Sequence, residues 1–182
     1  PEPFCGGQTN TQLVSQLDIF PTLCEAAGLP VPEWVRGRKL QELTGSGKAQ
    51  SLPVFGENNF HQSYFPERTI RTERYRLIAS FCESRRQKER DCDHSISKDV
   101  LYDGPWGEEP IAPVRLYDCE ADPFNQTNLA GDPACAELLR ELEGKLLAWM
   151  RETNDPLLQG PIPAPPERPY NGTGEYRIPI SQ

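Results

Sequence analysis

Glu57 and His61 stand four positions apart in the stretch VFGENNFHQSYFPERTIRTERYRLI, residues 54 to 78. A carboxylate there can hold a hydroxyl or an amine, or orient a cationic side chain. An imidazole can bind an anionic oxygen or carry a proton near neutral pH. Asn58, Asn59 and Gln62 add amide groups, so polar side chains fill all but one of the positions from 57 to 62. Phe60, Tyr64 and Phe65 are interleaved with them. The stretch reads as a short strand ending at Gly56, then a polar loop, then two more strands. Loops on a rigid scaffold are where binding side chains collect. The competing structural roles are a solvated strand-end carboxylate for Glu57 and a hydrogen-bonded histidine between aromatics for His61.

Four arginines follow, Arg68, Arg71, Arg74 and Arg76. Arg68 and Arg74 read as groups able to attract an anion. Arg71 and Arg76 read as solvent-facing strand residues. A structural role is the expectation for at least three of the four. His94 falls in a charged segment and reads as exposed.

The elements that must position these groups are legible from pattern. Thr69 to Thr72 and Tyr75 to Ala79 alternate polar and apolar at a period near two, as half-buried strands do. Glu73-Arg74 between them is a hairpin turn that lacks the Asn-Gly signature. A first helix is expected within 13 to 27, with Asp18 as N-cap and Pro21 in the first turn. Phe20, Leu23, Cys24 and Ala27 would form its apolar face. Gly28 then ends it, and Pro30 and Pro32 block continuation. Residues 83 to 113 form a charged, Pro- and Gly-rich insertion, a solvated loop or short exposed helix. Val114 to Tyr117 is a fourth strand. Asp132-Pro133 opens a second helix, whose Leu138, Leu139, Leu142, Leu146, Trp149 and Met150 make a broad apolar stripe. That stripe needs one face of the strands as its partner. Asn154-Asp155-Pro156 ends the helix, and an extended Pro-rich tail over the surface is expected from 157. Hairpin-linked strands and a covering helix give the class α+β, with a small antiparallel sheet of about four strands.

Composition narrows the function. The chain has 182 residues, 36% hydrophobic and 25% charged, with 19 Pro and 14 Gly. Its net charge of −8 argues against nucleic acid, which needs clustered Lys and Arg. A small anionic ligand stays open, because local clusters can oppose the global sign. No segment approaches the roughly 20 apolar residues of a bilayer span. The chain opens on a loop, without an initiator Met or a signal-like run, and so reads as a piece of a longer protein. Six cysteines stand at 5, 24, 82, 92, 119 and 135, with only two histidines. The absence of any C-x-x-C pair argues against zinc. Cys82 and Cys92 flank the charged segment and suit a disulfide, the alternative being buried free thiols. Asn125-Gln126-Thr127 and Asn171-Gly172-Thr173 are N-glycosylation sequons, and with the cysteines they lean toward an exported protein.

Three stretches carry a family resemblance. Gln16-Leu17-Asp18-Ile19-Phe20-Pro21-Thr22-Leu23 with Ala26-Ala27-Gly28-Leu29-Pro30 resembles the helix that closes the catalytic domain of type I sulfatases. The Gly-Arg-Lys-Leu at 37 to 40 is similar to that family's G-R-S-L segment. Pro66 to Ile78 resembles its R-x-I-R-T-x-R-Y hairpin. Leu116-Tyr117-Asp118 through Asp122-Pro123, with Asn128-Leu129-Ala130, is similar to its L-Y-D…D-P…N-L-A segment. Phe55-Gly56-Glu57 through His61 looks most like the heparan-N-sulfatase-like and related glycan sulfatases.

The resemblance implies an α/β catalytic domain of the alkaline-phosphatase-like kind whose tail end is residues 1–52. It further implies a C-terminal subdomain at 53–156 and the tail at 157–182. It carries Glu57 and His61 over as substrate contacts, with Asn58 and Asn59 beside them. It implies a formylglycine nucleophile, made from a C-x-P-x-R or S-x-P-x-R motif, and a calcium ion. No cysteine here has that context, so both are expected in an N-terminal catalytic portion of the same protein. The implied substrate is a sulfate ester or sulfamate on a glycan, and this stretch alone would be inactive. At 125, where the family has an acidic residue, this chain has Asn. Two other classes stay open: a glycan-binding or interaction module without chemistry, and a phosphoryl-transfer relative of the alkaline-phosphatase-like group.

Overall fold

The computed structural model describes residues 7, 9–43, 51–60, 64–82, 86–89, 93–163 and 178–180. His61 and Asn171 lie outside the described residues, as do Cys5 and Cys92. Two compact units are present, Pro1–Val54 and Phe55–Gln182.

The first unit is stitched together by polar groups more than by an apolar face. Ser15 caps a short helical turn, Gln16–Asp18, that leads into α1, Ile19–Ala26. Asp18 is buried, but its carboxylate does not cap α1 as the sequence suggests. One oxygen instead accepts the Ser15 N–H at 2.8 Å, and the other accepts the Arg38 N–H at 2.7 Å. Thr22 Oγ1 donates to the Asp18 carbonyl and accepts the Leu40 N–H at 2.8 Å. The segment around Gly37 is therefore sewn onto α1 by buried polar bonds. Gly28, at φ +68°, ends α1 as expected.

The expected apolar face of α1 differs from what is found. Cys24 is buried with Pro21 and Thr22, whereas Phe20 and Leu23 are 48% and 61% exposed. Phe20 stacks instead on the exposed Trp34, centroids 5.9 Å apart. The residues that anchor α1 are the ones with hydrogen-bonding partners in the 37–41 segment, and helical periodicity is blind to those.

The second unit is a four-stranded antiparallel sheet in the order β1 (Val54–Phe60), β2 (Tyr64–Arg71), β3 (Tyr75–Ser80), β4 (Val114–Asp118). Thr69 pairs with Ile78 across β2 and β3, and Ile78 with Arg115 across β3 and β4. The β2–β3 turn manages without Asn-Gly because Thr72 closes it: its N–H donates to the Tyr75 carbonyl and its Oγ1 accepts the Tyr75 N–H. Asp132 caps the turn Pro133–Cys135 that opens α3, Ala136–Glu152. Leu142, Leu146, Leu147 and Met150 of α3 pack on Ile70, Leu77, Ala79 and Leu116. This matches the expected stripe over one sheet face.

The tail does not simply run over the surface. Leu157 and Ile180 are buried in the same core, and Ile162 and Ile178 pack against it. Isolated apolar residues in a Pro-rich segment can dock singly, which leaves no periodic trace. The insertion contains a short exposed helix α2, Ile96–Tyr102, and two helical turns at Gln87–Glu89 and Pro105–Glu108. An isolated bridge, Arg86 to Pro110, ties the two turns' surroundings together. Among the described residues no helix is long and apolar enough to cross a membrane.

Candidate functional site

Glu57, Asn58 and Asn59 are strand residues, not loop residues. The expected strand end at Gly56 is overtaken because β1 continues to Phe60. A polar run suits an edge strand when its side chains find partners on the neighbour. Asn58 Nδ2 donates to the Phe65 carbonyl at 3.1 Å.

The partner that gathers the three residues is Arg68. It lies on the α3 face of β2 in line with Ile70, and its side chain is fully buried. Its Nε donates to Asp155 Oδ2 at 2.5 Å and its Nη2 to Asp155 Oδ1 at 3.0 Å, a two-pronged ion pair. Nη1 donates to the Asn58 carbonyl at 3.1 Å, to Asn59 Oδ1 at 2.9 Å and to the Glu67 carbonyl at 2.9 Å. Glu57 Oε2 stands 3.6 Å from Nη2. The guanidinium is thus saturated by its own chain, which rules out the expected part for Arg68 as an anion-attracting group. It acts instead as a clamp that fixes β1 to the end of α3.

Asp155 is the residue that sequence reasoning passed over. Asn154, at φ +53°, turns the chain out of α3, and the Asp155 N–H returns to the Met150 carbonyl. Asp155 Oδ1 also accepts the Leu157 N–H. Its carboxylate, 4% exposed, therefore caps one turn and neutralises Arg68 at once. An Asp-Pro step after a helix signals the cap but says nothing of the ion pair.

Within this cluster the outward-facing group is Glu57, whose side chain is 60% exposed beside the clamp. Its charge is steadied by Arg68 while its outer oxygen faces solvent, an arrangement that can accept hydrogen bonds from a ligand's hydroxyl or amine. Asn58 and Asn59 have their amide oxygens or nitrogens committed within the cluster. Asn125 belongs instead to the turn after β4, at φ +54°, where Asn is favoured over most residues. Its Oδ1 faces Cys119 Sγ at 3.6 Å. The thiols of Cys24, Cys119 and Cys135 are free. Among the described residues no group of three or more His, Cys, Asp or Glu side chains comes together to hold a metal ion.

Arg74, the other arginine read as an anion-attracting group, is also paired. Its Nε and Nη2 donate to Asp118 Oδ2 at 2.9 and 2.7 Å. That bond, helped by the Ala121 and Glu120 N–H groups, lowers the Asp118 pKa from 3.8 to about 2. A carboxyl depressed in the folded state stabilises it above the ordinary value, and the contribution disappears as pH falls through the folded value. Asp118→Asn should therefore be less stable than wild type near neutral pH. The difference should shrink below about pH 4 and disappear only as pH falls through and below about 2 in parallel acid titrations of unfolding, the window set by the two values. A difference that persists at the acid end would contradict the pairing.

A family model described as N-sulphoglucosamine sulphohydrolase, C-terminal, matches residues 1–94. The chain is 29% identical over 178 residues to an ulvan-active sulfatase of Formosa agariphila, covering 92% of this chain and 35% of that protein. It is 29% identical over 179 residues to the human N-sulphoglucosamine sulphohydrolase, covering 85% of this chain and 36% of that protein. The solved structure of a 2-O GAG sulfatase superposes with a TM-score of 0.56 at 25% identity, over 91% of this chain and 30% of that one. The chain thus spans roughly a third of the length of these relatives.

Proposed function

The chain belongs to the N-sulphoglucosamine sulphohydrolase C-terminal family, and on that premise we propose that it forms the substrate side of an exported sulfatase acting on a sulfated glycan. The reaction is hydrolysis of a sulfate ester or sulfamate. The observation that carries this reading is the clamp. Within the matched stretch, Arg68 holds β1 so that Glu57 is presented outward from a fixed strand. A fixed carboxylate orients a sugar hydroxyl or amine without the entropy loss of ordering a loop. In this proposal His61 contacts the sulfate, and Asn58 and Asn59 shape the strand that carries Glu57.

The described residues do not fit the calcium site that the family implies. The metal and the formylglycine nucleophile are placed, in this proposal, in an N-terminal catalytic portion. When present, that pair would supply the attacking oxygen and the charge neutralisation for sulfuryl transfer. Residues 1–52 would be the tail end of that catalytic domain, 53–156 its C-terminal subdomain and 157–182 the tail. The exposed Leu17, Phe20, Leu23 and Trp34 are the apolar surface expected of an element that packs on such a portion. Glycosylation at Asn171, a disulfide between Cys82 and Cys92, and export belong to the same proposal, whereas the sequon at Asn125 lies on the sheet face opposite α3 and is taken as unmodified.

The test is product analysis with the full-length protein on sulfated oligosaccharides and, in parallel, on phosphate monoesters. Release of inorganic sulfate supports the reading. Release of phosphate alone would move the protein to the phosphoryl-transfer class. Glycan binding with no release of either would make it a binding module.

A further inference from the structure

The sheet face opposite α3 carries a second polar site. Arg76, Ile78 and Tyr117 floor a pocket of about 580 Å3, a size suited to a small ligand. Trp106 of the insertion and Phe124 of the turn after β4 stand at its sides, 38% and 81% exposed. Gln87, Arg115 and Asn125 also line it, with two carboxylates, Glu67, which is paired to Arg115, and Glu109. Two polar atoms there are buried without a hydrogen-bond partner, Gln87 Oε1 and Arg115 Nε. Arg115 is 4% exposed, and among the described residues its Nη2 is engaged by Glu67 and Ser80. Buried polar atoms left unpaired are costly, and such atoms beside a pocket mark where a ligand or ordered water completes the bonding. Arg76 is half-buried beside Tyr117 and has no acidic partner among the described residues.

We propose that this pocket is an accessory site for an anionic sugar unit, carboxylated or sulfated, of a polysaccharide. Each group has a place in that recognition. The guanidinium of Arg76 takes the anionic group. Gln87 Oε1 accepts a sugar hydroxyl, and Arg115 Nε donates to a ring or hydroxyl oxygen. Trp106 and Phe124 offer apolar faces to the C–H side of a pyranose. A pyranose presents hydroxyl donors and acceptors at its edge and an apolar C–H face, which matches both orphaned atoms and the flanking aromatics. The inference rests on the glycan reading above for the identity of the polymer, and on this pocket alone for the binding.

The experiment is calorimetric binding of a sulfated oligosaccharide, its desulfated counterpart and inorganic sulfate. The full-length protein is made without N-glycosylation, as wild type, Arg76→Gln and Trp106→Ala, each checked for an unchanged melting temperature. Loss of one charged hydrogen bond should weaken the sulfated oligosaccharide about tenfold or more in Arg76→Gln. The desulfated counterpart should bind more weakly than the sulfated one to wild type. The KM for a long substrate should rise in both variants with kcat on a sulfated monosaccharide unchanged. Binding equal in all three proteins overturns the proposal, and so does competition by inorganic sulfate as tight as the sugar's. Binding that depends on Arg76 in a protein that releases no sulfate would sink the hydrolytic reading and keep this one. Sulfate release with Arg76-independent binding would do the reverse.

Discussion

Replacing Arg68 with Met is expected to cost the second unit about 3–5 kcal/mol, the range for removing one partner of a buried ion pair. The loss has a specific origin. Asp155 would remain 4% exposed with no cation, and the Asn58 carbonyl and Asn59 Oδ1 would lose their donor. For a unit of this size that is a fall in melting temperature on the order of 10 °C. The pair itself is a different matter, because two well-packed apolar residues often replace a buried ion pair at little cost. Arg68→Met with Asp155→Leu should therefore recover much of the loss in a double-mutant cycle. The carbonyl and amide of β1 would still lack a donor, so recovery should be incomplete. A single-variant cost below about 1 kcal/mol, the range of exposed pairs, would mean that no clamp exists.

Gly37→Ala is the second large effect. A Cβ at this position would lie 1.9 Å from the Leu17 carbonyl oxygen and 2.9 Å from the Asp18 nitrogen, both backbone atoms that cannot swing aside. The segment must move off α1, and the Arg38 N–H to Asp18 and Leu40 N–H to Thr22 bonds go with it. Overpacking of this kind costs about 1–3 kcal/mol, and the lost bonds place the expectation at the upper end. Hydrogen exchange should show the Arg38 and Leu40 amides deprotected. Gly28→Ala is the contrasting case. Nothing stands within 4 Å of its Cβ, so only its left-handed backbone at φ +68° is strained, for about 1 kcal/mol. Equal effects from both substitutions would show that close approach is not what the glycine of the Gly-Arg-Lys-Leu segment provides.

What could be seen in the sequence follows the range of the forces involved. α3 was legible because its apolar residues recur every three or four positions and its cap, Asp132-Pro133, is local. The β2–β3 hairpin was legible for the same reason. The sequence pattern ends β1 too early, because an edge strand can carry Glu57, Asn58 and Asn59 when its neighbour supplies their partners. Arg68 reads in the sequence as an anion-attracting arginine, since its counter-ion stands 87 positions away. The burial of Leu157 and Ile180 was hidden likewise, single apolar residues in a tail having no period. Glu57, Asn58 and Asn59 stand together in the sequence, and in the structure they share one centre. What organises them, Arg68 with Asp155, only tertiary structure supplies. The family resemblance stood on motifs that are themselves structural: Gly37, which has no room for a Cβ, and Asp118, which holds Arg74 and the turn after β4.

The central claim is that Glu57, and with it His61, faces the substrate of a sulfatase. The most direct measurement is sulfate release from a sulfated oligosaccharide by the full-length protein, as wild type, Glu57→Gln and His61→Ala, beside the melting temperature of each. Wild type should release sulfate. Each variant should lose about tenfold to hundredfold in kcat/KM, the equivalent of one charged hydrogen bond. Glu57→Gln should melt with wild type, because a side chain 60% exposed adds little to stability. A wild-type protein that releases no sulfate, or two variants with wild-type kinetics, would contradict the account.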